Sequence, residues 1–353
     1  MSSRLHICQF KSFIDQTLEI APLTVLSGLN SSGKSSVLQA IQMCHGGRLL
    51  DKYGDITELL SSGANSHEFS IRLEIGDAEN SVRESSFEII GSSEGLRRVI
   101  LPDDAENTGF ECEYIGADRM GPQGTLPVRA RELRDGVVGG DGRYIVEVLE
   151  RFSRMGAGGV PPELRADGLG EISALMPNLN AWMHMISPGF DVDYEILERG
   201  NIGLLIFTKD RRRATNVGFG LSYTLPIIAA VLLQGTKQTA SKGRYPRFLL
   251  IENPEAHLHP RGQTFMGRLL ARAASCGVHC VVETHSEHLL NGIRLSVKEN
   301  ILDSRNAVCY FFSYDIEDEF TKVAPIFIDS NGMCDHWPVG FFDESEISLM
   351  ALV

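Results

Sequence analysis

A chain of 353 residues with 33 Lys and Arg against 46 Asp and Glu carries a formal charge of −13. That excludes a protein that wraps nucleic acid with its whole surface, since counterion release needs many cationic contacts, and leaves room only for a local basic groove. With 43% hydrophobic and 22% charged residues, the chain is composed like a water-soluble protein of one large domain or two modest ones, and no apolar run reaches the ~18 residues of a membrane span. "YTLPIIAAVLL" comes nearest and reads as a buried helix. Seven cysteines, an odd number scattered through apolar stretches, fit a reducing cytoplasm without a disulfide framework. The start "MSSRLHICQF" lacks the apolar stretch of a signal peptide, so a cytoplasmic protein is expected.

In chain order, "LHICQF", "TLEI" and "LTVLS" read as short strands, the last of them buried. Directly after it comes "GLNSSGKSSVLQAI", Gly28 to Ile41. The spacing from Gly28 to Gly33, Lys34 and Ser35 fits the phosphate-loop pattern G-x-x-x-x-G-K-[ST]. Val37, Leu38 and Ile41 then recur at helical spacing. Strand, glycine loop, helix is the context in which backbone N–H groups wrap a phosphate chain and a helix N-terminus adds its dipole. The wrap comprises Asn30, Ser31, Ser32, Gly33 and Ser36. Lys34 is expected to neutralise β/γ-phosphate oxygens and the Ser35 hydroxyl to ligate Mg²⁺, so ATP and Mg²⁺ are the expected ligands.

"HEFSIRLEIGD" and "RESSFEIIG" follow as half-exposed antiparallel strands, and "FECEYIGADRMGP" as a strand ending in a loop at Arg119. Residues 129–199 form a small helical insertion, with "RYIVEVLERF" and "ISALMPNLNAWMHMI" its clearest helices and no sustained heptad. From "DYEILERG" strands resume through "NIGLLIFTKD". "GFGLSYTLPIIAAVLLQ" is a glycine-rich loop entering an apolar helix. Two buried strands, "RFLLIEN" and "HCVVETHS", alternate with the helices "GQTFMGRLLARAASCG" and "EHLLNGIRLSVKEN", the rhythm of a parallel sheet covered by helices. The tail is a hairpin, "AVCYFFSYD" and "FTKVAPIFID", then "WPVGFFDESEISLMALV".

Two strand ends supply partners for the loop. "FLLIENPE" delivers Glu252, whose carboxylate is expected to hold Mg²⁺ together with Ser35, through water. "VVETHS" places His285 within reach of a γ-phosphate. Phosphate loop, "IENPEAHLHP", then "ETHS" is the order seen in ATP-binding-cassette-type ATPases of the SMC and OLD branches, and the opening "FKSF" before the phosphate loop resembles them too. The ending "GMCDHWPVGFFDE" resembles the C-terminal module of bacterial AAA-type ATPases, many from phage-defence loci such as Septu-type systems.

The resemblance spans nearly the whole chain and implies an α/β fold. The expected fold is a P-loop NTPase of ABC-ATPase type, with a mixed sheet, an antiparallel β part and the helical insertion. A single head over 1–353 would have its nucleotide core in 1–128 and 200–315, the insertion in 129–199 and a tail module in 316–353. It further implies a head-to-tail homodimer or higher oligomer, in which the loop "GFGLSYTL" (Gly218 to Leu225) of one head, with Ser222, touches the γ-phosphate held by the other. A second acid should follow the Mg²⁺ acid, and this chain has Asn253 there; an amide orients water but accepts no proton, so slow hydrolysis is expected unless Glu255 serves instead. The implied role is a nucleotide-gated switch for an associated effector such as a nuclease, in defence or DNA maintenance.

The alternatives are a self-contained nuclease and a transporter subunit. The first would need clustered carboxylates, for which "DIEDEF" (Asp315 to Phe320) reads better as a hairpin turn; the second would need an L-S-G-G-Q loop. His257 and His259 fit a loop at the dimer seam better than a metal site, and Cys276 with Cys280 lacks a second ligand pair. The basic run Lys209, Arg211, Arg212 and Arg213 is the candidate for touching nucleic-acid phosphates.

Overall fold

The computed structural model describes residues 3–46, 56–62, 67–76, 85–92, 95–101, 109–128, 137–155, 159–197, 201–207, 212–216, 218–241, 246–315, 317 and 319–352. The N-terminal segment forms β1 (Ser3–Phe10), β2 (Phe13–Ile20) and β3 (Leu23–Gly28), then α1 (Lys34–His45). β1 and β2 close at the tight Phe10–Phe13 pair, where Lys11 takes a left-handed φ of 53°. β4 (Phe69–Ile75), β5 (Ser85–Ser92) and β6 (Gly95–Leu101) extend this hairpin into an antiparallel sheet of order β2-β1-β4-β5-β6. Alternation along β4 puts Phe69, Ile71, Leu73 and Ile75 on the covered face.

β7 (Glu111–Ile115) and the short β8 (Leu126–Pro127) lead into the helical segment, α2 (Ile145–Met155) and α3 (Leu175–Ile186). β9 (Val192–Leu197), β10 (Ile202–Phe207) and β11 (Arg212–Arg213) then form a second antiparallel set in which β10 also pairs with β8. Arg212 and Arg213 are exposed there, whereas Lys209 and Arg211 lie outside the described residues.

The chain ends with α4 (Phe219–Ala240), β12 (Arg247–Glu252), α5 (Pro260–Ser275), β13 (Val278–Glu283), α6 (Glu287–Lys298), β14 (Ala307–Asp315), β15 (Phe320–Phe327) and α7 (Glu344–Ala351). Among the described residues these strands join β3 and β7 in a six-stranded sheet of order β15-β14-β3-β13-β12-β7. All its pairings are parallel except β14 with β15. The sheet is covered on both faces, so its central strands read as unbroken apolar runs: every residue of β3 and of β13 is buried.

Alternate residues serve two cores. Leu249, Ile251, Cys280 and Val282 pack with α4, α5 and α6, while Phe248, Leu250 and Val281 pack with α1 and the N-terminal antiparallel sheet. The 22-residue α4 is the apolar helix foreseen from "YTLPIIAAVLL", with Leu225 and Ile227 to Leu233 fully enclosed. The architecture is therefore the expected mixed α/β sheet with an antiparallel part. All seven cysteines are free thiols. No helix among the described residues is long and apolar enough to cross a membrane.

Candidate nucleotide site

The glycine loop leaves β3 at Gly28 and enters α1 at Lys34. It turns through left-handed backbone at Gly28 (φ 141°), Ser31 (φ 61°) and Gly33 (φ 96°). At Gly28 a side chain is excluded twice over, since a Cβ would also lie 2.1 Å from the Phe312 carbonyl oxygen. Gly33 caps α1 without a side-chain bond, and the first turn holds no acid, so the positive end of the helix dipole is kept for an anion. Asn30 and Ser31 are exposed at the loop tip; Ser32 and Ser36 are buried. Lys34 is 3% exposed, and its Nζ donates to the carbonyls of Gly28 (3.1 Å) and Leu29 (2.6 Å). Burial draws its pKa down, while Glu283, 3.9 Å away, opposes the shift.

Strand order decides which acid meets the loop. β13 lies between β3 and β12, and its last residue, Glu283, pairs in register with both Leu26 and Glu252. The Ser35 hydroxyl donates to Glu283 Oε2 at 2.7 Å. Glu252, the acid singled out from the sequence, accepts instead from Tyr114 Oη (2.8 Å) and the Ala117 N–H (3.1 Å) on the far side. Glu283, the acid of "VVETHS", thus takes the place beside Ser35 that the sequence reading gives to Glu252. The usable signal was that "VHCVVE" and "RFLLIE" are buried six-residue strands ending in the same acid. Burial raises the Glu283 pKa; the Ser35 bond and Lys34 pull it back, and Glu252 and Glu255 push it up again.

Three neighbouring carboxylates therefore face chiefly Lys34 and Arg119, an imbalance that favours a cation. Among the described residues no three His, Cys, Asp or Glu side chains converge on one point. A hydroxyl and one carboxylate suit Mg²⁺, which keeps several waters and takes phosphate oxygens, better than a metal that demands a full protein cage. Ser35 and Glu283 are the residues that would hold it, with Glu252 behind them.

The turn after β12 is tightly anchored. Arg119, 2% exposed, donates to the carbonyls of Gly116, Glu252 and Asn253, each at 2.7 Å. The Asn253 N–H donates to the Glu283 carbonyl (2.9 Å), its backbone is left-handed (φ 44°), and its Oδ1 is enclosed without a partner among the described residues. Glu255 reaches across to the end of β13: Oε2 accepts from Thr284 Oγ1 (2.8 Å) and Oε1 from the His285 N–H (2.7 Å). Burial raises the Glu255 pKa, against these bonds and Arg119. His285 is exposed to solvent along part of its surface, and the partial desolvation of the rest, then Lys34, lowers its pKa. The structure thus brings Lys34, Ser35, Glu252, Glu255, Glu283 and His285 to one edge of the parallel sheet.

Ser222 sits elsewhere, in the first turn of α4, 6% exposed and with its Oγ unpartnered among the described residues. This helix start leans on the turn after β12. A Cβ on Gly220 would lie 2.9 Å from the His257 carbonyl, the Tyr223 and His257 rings are 4.6 Å apart, and the Arg119 guanidinium lies over Tyr223. His259 caps α5 by accepting from the Arg261 N–H.

Three family models match the chain: "AAA domain" over residues 4–120, "AAA domain, putative AbiEii toxin, Type IV TA system" over 141–291, and "Protein of unknown function (DUF3696)" over 302–352. No curated protein sequence matches it. Among solved structures, an Smc head domain from Pyrococcus furiosus bound to the C-terminal domain of ScpA is similar at 12% identity, with 99% of each chain covered and a TM-score of 0.60. Another Smc head, bound to the C-terminal winged-helix domain of ScpA, shares 15% identity over 93% of this chain and 98% of that one, with a TM-score of 0.58. The recombination mediator RecF shares 12% identity over 92% and 98%, with a TM-score of 0.53. The fold is that of the SMC head and RecF.

Proposed function

We propose that the chain is an ATP-binding, slowly hydrolysing ABC-type ATPase head that works as a nucleotide-gated switch. The carrying observation is the meeting of Lys34 and Ser35 with Glu283, Glu252, Glu255 and His285 at the sheet edge. In this reading Lys34 and the start of α1 bind the triphosphate, Ser35 and Glu283 hold Mg²⁺, and His285 senses the γ-phosphate. Mg²⁺ supplies charge neutralisation at the phosphate oxygens. AAA-domain matches on both halves of the chain support ATP as the ligand. Asn253 cannot accept a proton, which favours a long-lived ATP state suited to signalling.

The output of the switch is proposed to be control of an associated effector, such as a nuclease, in anti-phage defence of the Septu kind or in DNA maintenance. The AbiEii wording of the 141–291 match supports a defence setting. The exposure of Arg212 and Arg213 on β11 supports the reading that this part of the basic run contacts nucleic-acid phosphates.

The test is calorimetric titration of Mg²⁺–ATP into wild type and Lys34→Ala, with thermal melts of both. We expect affinity to fall at least about hundredfold in the variant, since a buried charge-assisted contact is lost, while the fold persists. Equal binding by the two proteins would sink the phosphate-loop reading.

A further inference from the structure

The β14–β15 hairpin brackets the glycine loop at both ends. On one side β14 pairs in parallel with β3, so that the Phe312 carbonyl occupies the space a Gly28 side chain would need. On the other, Thr321 of β15 meets Gly33, where an added Cβ would lie 2.8 Å from Thr321 Oγ1 and 2.9 Å from Ser12 Oγ. Thr321 is 4% exposed, and its N–H donates to the Ser12 carbonyl at 2.8 Å.

Its hydroxyl oxygen lies 3.0 Å from the Ser32 carbonyl oxygen and 2.6 Å from Ser12 Oγ. A hydroxyl has one proton and a carbonyl only accepts, so Thr321 donates to Ser32 and Ser12 donates to Thr321. This chain holds the Ser32 carbonyl towards β15. The Ser32–Gly33 peptide is planar and trans, so the Gly33 N–H points the opposite way, to the side of the loop away from the hairpin.

We propose that Thr321 is a positioning residue for nucleotide binding: by holding the Ser32 carbonyl it aims the Gly33 N–H at the phosphates. Residues 302–352, matched only as a module of unknown function, thereby supply part of the phosphate site. The proposal rests on ATP binding in the Gly28–Ser36 loop.

The full chain is titrated with Mg²⁺–ATP as wild type, Thr321→Val, Thr321→Ser and Lys34→Ala, with melts in the presence and absence of ATP. Thr321→Val keeps the shape and leaves the Ser32 carbonyl unpaired in a buried place; we expect about tenfold weaker binding. Thr321→Ser restores the donor and should bind within about twofold of wild type. The rise in melting temperature caused by ATP should shrink in Thr321→Val and return in Thr321→Ser, which a residue serving only the core would not produce. If Thr321→Val binds as wild type does while Lys34→Ala fails, the inference falls and the ATP site stands; a wild type that binds no ATP overturns both. Should Thr321→Val not fold, Ser12→Ala removes the first donor of the chain. It is expected to weaken binding about threefold, and unchanged affinity there also overturns the proposal.

Discussion

The proposed slow switch turns on two residues: Asn253, where the resemblance leads one to expect a water-activating acid, and Glu255, two positions further on. Asn253 occupies the position directly after Glu252, but its left-handed backbone suits asparagine, its N–H and carbonyl are engaged by Glu283 and Arg119, and its side-chain oxygen is enclosed. Glu255 is held on Thr284 and the His285 N–H, beside the side chain proposed to sense the γ-phosphate. Its pKa is raised above the ordinary glutamate range, first by burial. A raised carboxyl stays protonated to higher pH, so any stability it lends is present in acid and lost as pH climbs through the raised value. The base form is lost correspondingly early on acidification. We therefore expect slow phosphate release that rises with pH through an apparent pKa above the glutamate range. Glu255→Gln should lower the rate about 10²-fold and abolish that limb, while ATP affinity changes less than about threefold. Steady-state phosphate release across ~pH 5–8 measures this; a variant that keeps wild-type turnover would remove Glu255 from the chemistry.

The elements of the nucleotide core pack backbone against backbone where the helices cross. Gly267 of α5 and Gly292 of α6 face each other's chains: a Cβ on Gly292 would lie 2.1 Å from the Thr264 carbonyl, and one on Gly267 2.2 Å from the Leu289 carbonyl. Neither glycine has a left-handed φ, so Ala is excluded by space alone. Gly292→Ala must separate the helices and is expected to destabilise by about 1–3 kcal/mol, read as a lower denaturation midpoint with unchanged slope; a midpoint equal to wild type would refute the close crossing. These helices were legible in "GQTFMGRLLARAASCG" and "EHLLNGIRLSVKEN" because local periodicity writes them. The same holds for the strand–loop–helix around Lys34 and for the two buried strands ending in glutamate. What local pattern does not carry is strand order. That Glu283 and not Glu252 meets Ser35 follows from β13 lying between β3 and β12, a long-range pairing. Thr321 on Ser32 bridges residues 289 apart in the chain, and the terminal helix α7 was not foreseen within "ESEISLMALV".

At the scale of the molecule, the resemblance implies that the start of α4 in one head meets the phosphate loop of another, and we propose that two copies of this chain pair in that way. A two-fold pair placed head-to-tail satisfies both sites at once. Ser222, the residue suggested by the resemblance, has its hydroxyl enclosed, so the group open to a partner at this helix start is the exposed N-cap, Gly218. Gly218 has an extended backbone (φ −65°), and a Cβ there meets nothing within 4 Å, so a side chain can be added without strain in the single head. A glutamate would even favour the positive end of α4. Opposite a partner's triphosphate, the same carboxylate would be repelled and would block the approach. We expect Glu255→Gln, which holds ATP, to dimerise on adding Mg²⁺–ATP in sedimentation or light scattering. Adding Gly218→Glu should leave it monomeric, with unchanged melting temperature and ATP affinity. A Gly218→Glu protein that dimerises as readily as its parent would show that α4 does not meet the partner's nucleotide, and the head-to-tail arrangement would have to be abandoned.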